Sequence, residues 1–166
     1  MFTLEVNALL DSGRPVEAVR AAVEEASPGQ GWVVDGYLRH FEHSLGGVIA
    51  GSAALVEELD DAGVRCVGLS NWSAVTFEGI PETYPVLERL DGILISGDVG
   101  ICKPAPEIYR LCEERFGFAP TDALFVDDSP RTVEAAHDAG WDAVTFTRAD
   151  ALRSEMAARG LPVEPG

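Results

Sequence analysis

Apolar residues change their spacing part-way along this chain, and the change divides it in two. Val34, Tyr37, Leu38, Phe41 and Leu45 recur at the i, i+3, i+4, i+7 intervals of an amphipathic helix. Val16, Val19, Ala22 and Val23 form a second stripe behind Pro15, a residue suited to a first helical turn. Phe2 to Leu10 also reads as helix, and Ser27-Pro28-Gly29-Gln30-Gly31 reads as a loop by its breakers. After Gly46-Gly47, short apolar runs alternate with helices. A helix to Asp61 is stopped by Gly63, and Val64 to Leu69 is a strand. Ile93 to Ile95 is a strand, and Ile108, Leu111, Cys112 and Phe116 mark a helix stopped by Gly117. Leu124 to Val126 is a strand, Val133 to Ala139 a helix stopped by Gly140, and Ala143 to Phe146 a strand. Continuous apolar strands between helices predict a parallel sheet covered on both faces. The expected fold class is α/β, with a helical module over residues 1–46 and an α/β core over 47–166.

Composition narrows the partners rather than the fold. The chain has 166 residues, enough for one sizeable core, and is 46% apolar and 24% charged, as ordinary globular proteins are. A net charge of −16 excludes nucleic acid and anionic membrane surfaces as expected partners, because both require clustered Lys and Arg. An anionic substrate would have to be met locally, by a metal or a lysine. Cys66, Cys102 and Cys112 show no CxxC spacing, which fits a reduced, cytoplasmic setting. Cys66 and Cys112 read as buried small hydrophobes. Met1 to Leu10 contains Glu5 and no basic leader, unlike a signal peptide, and no apolar run is long enough to span a membrane.

Three strand ends carry candidate chemistry. Leu124-Phe125-Val126 runs straight into Asp127-Asp128, followed by Ser129-Pro130. Paired acids at the mouth of a parallel sheet can hold a divalent cation beside a phosphate, since hard cations take oxygen ligands. Helix capping by Asp128 would account for one aspartate and leave the other unexplained. The strand through Val67-Gly68-Leu69 ends in Ser70-Asn71, whose hydroxyl and amide can donate to phosphate oxygens, although turn chemistry uses the same residues. Beyond Ile95 comes Gly100-Ile101-Cys102-Lys103-Pro104, where a lysine could offset phosphoryl charge; alone it would read as a solvated loop residue.

Ser70, Lys103 and Asp127-Asp128, in that order, resemble the second, third and fourth motifs of the haloacid dehalogenase-like hydrolases. The surrounding "GLSNWS", "SGDVGICKPAPEIY" and "LFVDDSPRTVEAAHDAGW" are similar to the branch with a small helical cap. That branch includes bacterial sugar-phosphate phosphatases and the phosphatase domain of epoxide hydrolases. The resemblance implies a Rossmann-like core binding Mg²⁺, with residues 1–46 as a partial cap. Ser70 and Asn71 would hold the phosphoryl oxygens, and Lys103 would bridge phosphate and nucleophile. Asp128 would be the more direct metal ligand, with Asp127 assisting. The implied activity is hydrolysis of a small phosphorylated metabolite by a monomer or homodimer.

The family's first motif, a DxD closing the first core strand, is missing from this sequence. Its first aspartate attacks phosphorus to form an aspartyl-phosphate, and its second is the acid and base. Asp11 lies between helical stretches and Asp35 begins one, so neither follows an apolar strand. The family's first strand lies between the strand ending at Asn71 and the one ending at Asp127. Its loss would leave a gap of two inter-strand spacings, roughly 10 Å. Three explanations stand: a start assigned inside a longer reading frame, a truncated relative, or completion by another polypeptide or a second copy. In the truncated form the flanking strands would pair directly, or Met1 to Val6 would fill the slot through the alternation Phe2, Leu4, Val6.

Rival functions remain open at this point. A haloacid dehalogenase-type reaction needs no metal, and the acidic pair would repel a carboxylate substrate. A non-catalytic module that binds phosphate and metal fits the missing nucleophile. A phospho-receiver domain fits poorly, because its acidic pair precedes its hydroxyl residue and lysine. Trp72 could line the pocket or pack in a hinge, while Phe77 and Tyr84 read as packing. Arg14, His40 and His43 lie in the cap, the histidines on a solvated face, and His137 has no evident partner.

Overall fold

The computed structural model describes residues 2–164. Helices α1 (Phe2–Asp11), α2 (Val16–Ala26) and α3 (Trp32–His40) open the chain, and a 3₁₀ turn over Phe41–Ser44 ends this segment. Helix α4 (Ser52–Asp61) leads to strand β1 (Val67–Ser70) and the short helices α5 (Ala74–Phe77) and α6 (Ile80–Thr83). Strand β2 (Gly92–Ile95), α7 (Ser96–Val99), α8 (Pro106–Phe116), β3 (Leu124–Asp127), α9 (Pro130–Asp138), β4 (Asp142–Thr145) and α10 (Ala149–Ala158) complete the order.

The chain forms two compact units: residues 1–47 with 70–83 and 95–102, and residues 48–69 with 84–94 and 103–166. In the first, Val6, Leu10, Val19, Val23 and Val34 make the core, with Tyr37 and Leu38 packed on it. The i, i+4 pair Val6 and Leu10 places one face of α1 on this core. That burial overrides the alternation Phe2, Leu4, Val6, so the segment does not serve as a strand; Met1 itself lies outside the described residues. Each such side chain contributes about 1.5–3 kcal/mol by leaving water.

In the second unit, Leu55, Leu59, Met156 and Val163 bring α4 and α10 together. A second nucleus is aromatic: Trp141 lies edge-on to Tyr109, Phe118 and Phe125, with ring centroids 5.1–5.8 Å apart. Trp141 Nε1 donates to Glu113 Oε1 at 2.7 Å, which satisfies the ring's one polar atom. Helix α8 stops where Gly117 takes a left-handed conformation, φ 65°, as its sequence position suggests. Val64 to Cys66, expected at the head of the first strand, lie outside it; the Val64 N–H bonds back to Leu59 O at 2.9 Å, closing α4.

Among the described residues the strands form two separate pairs, β1–β2 and β3–β4. The β3–β4 pair is parallel, with Phe125 opposite Ala143 and Asp127 opposite Thr145. No ladder joins β1 to β3, so direct pairing of the flanking strands does not occur. Between them lies a trough of about 670 Å³, walled by Val67 and Leu69 of β1, Leu124 and Val126 of β3, and Leu55 and Met156 below.

The aromatic nucleus yields a stability test. Tyr109 is fully buried and its hydroxyl donates to Thr132 O at 2.8 Å. Tyr109→Phe should cost about 1 kcal/mol in urea denaturation, and Trp141→Ala about 3–5 kcal/mol.

Candidate functional site

The end of β3 presents the acidic pair. Asp127 Oδ2 accepts from Lys103 Nζ at 2.7 Å, and its Oδ1 accepts from the Ser129 backbone N–H at 2.9 Å. The second bond turns the chain out of the strand and into α9, where Pro130 occupies the first turn. Ser129, not Asp128, is the residue that caps α9, and no side chain bonds the cap. The capping account of Asp128 therefore fails, and its exposed carboxylate has no structural task.

Lys103 reaches β3 from the segment between α7 and α8. Its ammonium also donates to Leu69 O of β1 at 2.6 Å and lies 5.6 Å from the Phe125 ring centroid. Its side chain is 11% exposed and that of Asp127 is 10% exposed. The lysine is therefore no solvated loop residue. It is a buried charge matched by a carboxylate and a carbonyl, and it links the ends of two strands that share no ladder. The Asp127 charge is felt at Tyr109, whose hydroxyl is pushed up to about 12 by burial first and by that carboxylate second.

Ser70 and Asn71 belong to the first unit, at the end of β1 and just past it. Neighbouring residues fix the loop that follows. Trp72 N–H donates to Ser96 Oγ at 3.0 Å, and Gly97 N–H donates to Trp72 O at 2.9 Å. Ser96 is fully buried. A Cβ on Gly97 would run into the backbone of Ala74 and lie 2.7 Å from Trp72 O, so only glycine fits there. Ser96 and Gly97 went unassigned in the sequence; the signal was a serine-glycine pair directly behind an apolar strand, opposite another strand-end loop.

The same unit contains a cavity of about 320 Å³ beside Asn71 and Trp72. A chain of hydrogen bonds lines one wall: Tyr37 OH donates to Asn7 Oδ1 at 2.5 Å, and Asn7 Nδ2 donates to Asp11 Oδ2 at 2.8 Å. Phe41 and Trp72, edge to face at 5.9 Å, make the opposite wall. Asp11 is only 8% exposed, and burial pushes its carboxyl up to about 6 against a backbone hydrogen bond from Ser73 that lowers it. Trp72 thus lines a cavity. Burial raises the thiol of Cys112 to about 11, which fits its reading as a packing group; Cys66 is also raised by burial, but it is only half-buried and lies just before β1, not inside a strand.

Residues 8–140 match the family model of the haloacid dehalogenase-like hydrolases. The chain belongs to that family. Escherichia coli phosphoglycolate phosphatase is 40% identical over 79 residues, 44% of this chain and 31% of that protein. Flavin mononucleotide hydrolase 1 of Arabidopsis thaliana is 22% identical over 98% of this chain and 69% of its own length. Mouse acyl-CoA dehydrogenase family member 10 is 32% identical over 51% of this chain and 8% of its length. The chain thus spans less than a third of two of these three relatives. Among solved structures, a Bacteroides thetaiotaomicron HAD family enzyme in complex with magnesium and inorganic phosphate has TM-score 0.62 at 19% identity, covering 84% of this chain and 74% of the other. A predicted HAD-like family hydrolase from Porphyromonas gingivalis has TM-score 0.66 at 20% identity, covering 91% and 76%. These likenesses give the haloacid dehalogenase-like chain its Rossmann-like α/β fold.

The acidic pair has the donor chemistry that hard divalent cations take. Among the described residues no group of three or more His, Cys, Asp or Glu side chains is arranged to hold a metal. The acidic pair offers oxygen donors only, and Mg²⁺ is commonly held by one or two carboxylates with substrate phosphate and water. Asp128 has its carboxylate exposed, while both Asp127 oxygens already accept hydrogen bonds.

Two measurements test this geometry. Lys103→Met leaves the Asp127 carboxylate buried and should cost about 3–5 kcal/mol in chemical denaturation, whereas Lys103→Met with Asp127→Leu should recover much of the loss. Asp11 binds its proton more tightly folded (about 6) than at its ordinary value of 3.8, so it adds stability as pH falls from about 6 to 3.8. Asp11→Asn should raise the melting temperature at pH 7.5, and that gain should shrink toward pH 4.

Proposed function

We propose that this chain forms the greater part of a Mg²⁺-dependent hydrolase of small phosphomonoesters. The observation that carries the reading is the buried lysine at the strand ends, held by Asp127 and Leu69 O beside an exposed, uncommitted carboxylate on Asp128. An ammonium held in place by protein oxygens is preorganised to face a phosphoryl group. The phosphatase and flavin mononucleotide hydrolase relatives support the same reaction class. A net charge of −16 makes such local cationic help necessary.

In this reading Ser70 and Asn71 donate hydrogen bonds to the phosphoryl oxygens, and Lys103 offsets their charge and that of the attacking carboxylate. Asp128, with Asp127 behind it, holds the metal, which when bound offsets phosphoryl charge from the opposite side. The attacking group is an aspartate on a strand occupying the trough between β1 and β3. The trough supports that role: it is apolar, about 670 Å³ in volume, and flanked by two strands whose facing edges have no ladder partner. The substrate is a phosphorylated metabolite, and the setting is cytoplasmic. Among the described residues no helix is long and apolar enough to cross a membrane.

Calorimetry with Mg²⁺ in the presence of inorganic phosphate tests the metal assignment, and Asp128→Asn should weaken binding at least tenfold. The 166-residue chain should not hydrolyse p-nitrophenyl phosphate. Fusing or adding an apolar segment that ends in Asp-x-Asp should confer Mg²⁺-dependent turnover. Steady hydrolysis by the pure chain alone would overturn the account of the nucleophile.

A further inference from the structure

Helix α1 ends on a carboxylate in an unfavourable place. Asp11 is its last residue, at the negative end of the helix dipole, and it is nine-tenths buried. Both circumstances disfavour the charged form. Around this residue the first unit closes tightly. Gly13, with φ 76°, brings the chain so near the segment after β2 that a Cβ would lie 2.9 Å from Gly97 O and 3.4 Å from Gly100 Cα. The Ser73 backbone N–H donates to the Asp11 carboxylate, and the Cys102 thiol donates to Asp11 O at 3.4 Å. The residue before α5 and a residue just past α7 thus converge on the end of α1.

We propose that Asp11 is a proton-operated latch: protonated, it seats the end of α1 on residues 72–74 and 96–102, and ionised, it loosens that contact. The device belongs to the first unit alone and does not depend on the phosphomonoester reading. Burial pushes the carboxyl up to about 6, and the Ser73 donation offsets only part of that. Seated, Asp11 holds its proton more tightly than at its ordinary value of 3.8, so seating is favoured at low pH and weakens as pH rises past 6. The groups facing it do not supply a counter-charge. Tyr37 of α3 reaches it through Asn7, and burial and the Asp11 charge raise the Tyr37 hydroxyl, which therefore stays a donor. Helix α5 carries no ionisable side chain, and Glu5 of α1, Arg14 beyond it and Asp98 of α7 are exposed. In α2, Glu17 is exposed and Arg20 is bonded to Asp35 of α3. His40 and His43 are exposed at the far end of α3.

Hydrogen exchange on the 166-residue chain, followed residue by residue by NMR, tests the latch. After correction for intrinsic rates, protection at the Ser73 and Gly13 amides should fall about tenfold from pH 5 to pH 7.5, the factor that values of about 6 seated and 3.8 released produce. Protection at Ser27 and Val34, whose amides bond within α2 and at the start of α3, should hold. Asp11→Asn should abolish the pH dependence. Its persistence in that variant would assign it to another group, such as His40 or His43, and overturn the proposal. Equal protection at both pH values would overturn it as well, and so would a parallel fall at Ser27 and Val34, which is unit-wide unfolding. The carboxyl carbon resonance of Asp11 needs no variant: it should titrate near pH 6, and a midpoint near 3.8 would sink the latch.

Discussion

One lysine ammonium, held between a carboxylate and a backbone carbonyl, sets the terms for the α/β unit. Strands β1 and β3 share no hydrogen-bonded ladder, yet Lys103 bonds to Leu69 O on the first and Asp127 on the second. It does at the mouth of the trough what a ladder would do along its length. A buried ion pair is weak evidence for net stability, because desolvation offsets much of the attraction. Its value here is positional. The pair fixes where β3 ends, the Asp127–Ser129 turn then starts α9, and Asp128 is left pointing to solvent with nothing structural to do.

The division of labour between the units follows from what each can bury. The helical unit closes around five aliphatic residues and leaves a cavity lined by a directed run of hydrogen bonds. The α/β unit closes around Trp141 and its aromatic neighbours and leaves a much larger apolar opening. The first opening is polar on one side and aromatic on the other. The second is apolar throughout its strand walls and suits a chain segment.

Much of this was legible in the sequence. The stripes Val16–Val19–Val23 and Val34–Tyr37–Leu38 gave α2 and α3, and Gly63, Gly117 and Gly140 marked helix ends within two residues. Among the described residues the strands overlap the apolar runs that predicted them, although β1 starts three residues later than expected. A gap between the flanking strands was expected as well, and the trough lies between β1 and β3. Less local features escaped. Helix α10 lacks a clean apolar stripe and is held by packing on α4, with Arg153 paired to Glu58. Helices α5, α6 and α7 are single turns with too few residues for a period. The tasks of Ser96, Gly97 and Asp11 depend on close approaches between segments far apart in sequence, which no spacing rule records. Asp128 is the opposite case: a cap motif suggested a local role that the chain gives to Ser129.

The open edges of β1 and β3 bear on how copies of this protein meet. An unpaired strand edge is a template for intermolecular pairing, and natural sheets blunt such edges with charge, bulges or cover. Here the strand walls beside the edges are aliphatic, and every copy carries a net charge of −16. That repulsion has a reach of about 8 Å in physiological salt and about 3 Å at 1 M. Concentrated salt therefore shortens the distance over which the charges of two copies repel each other.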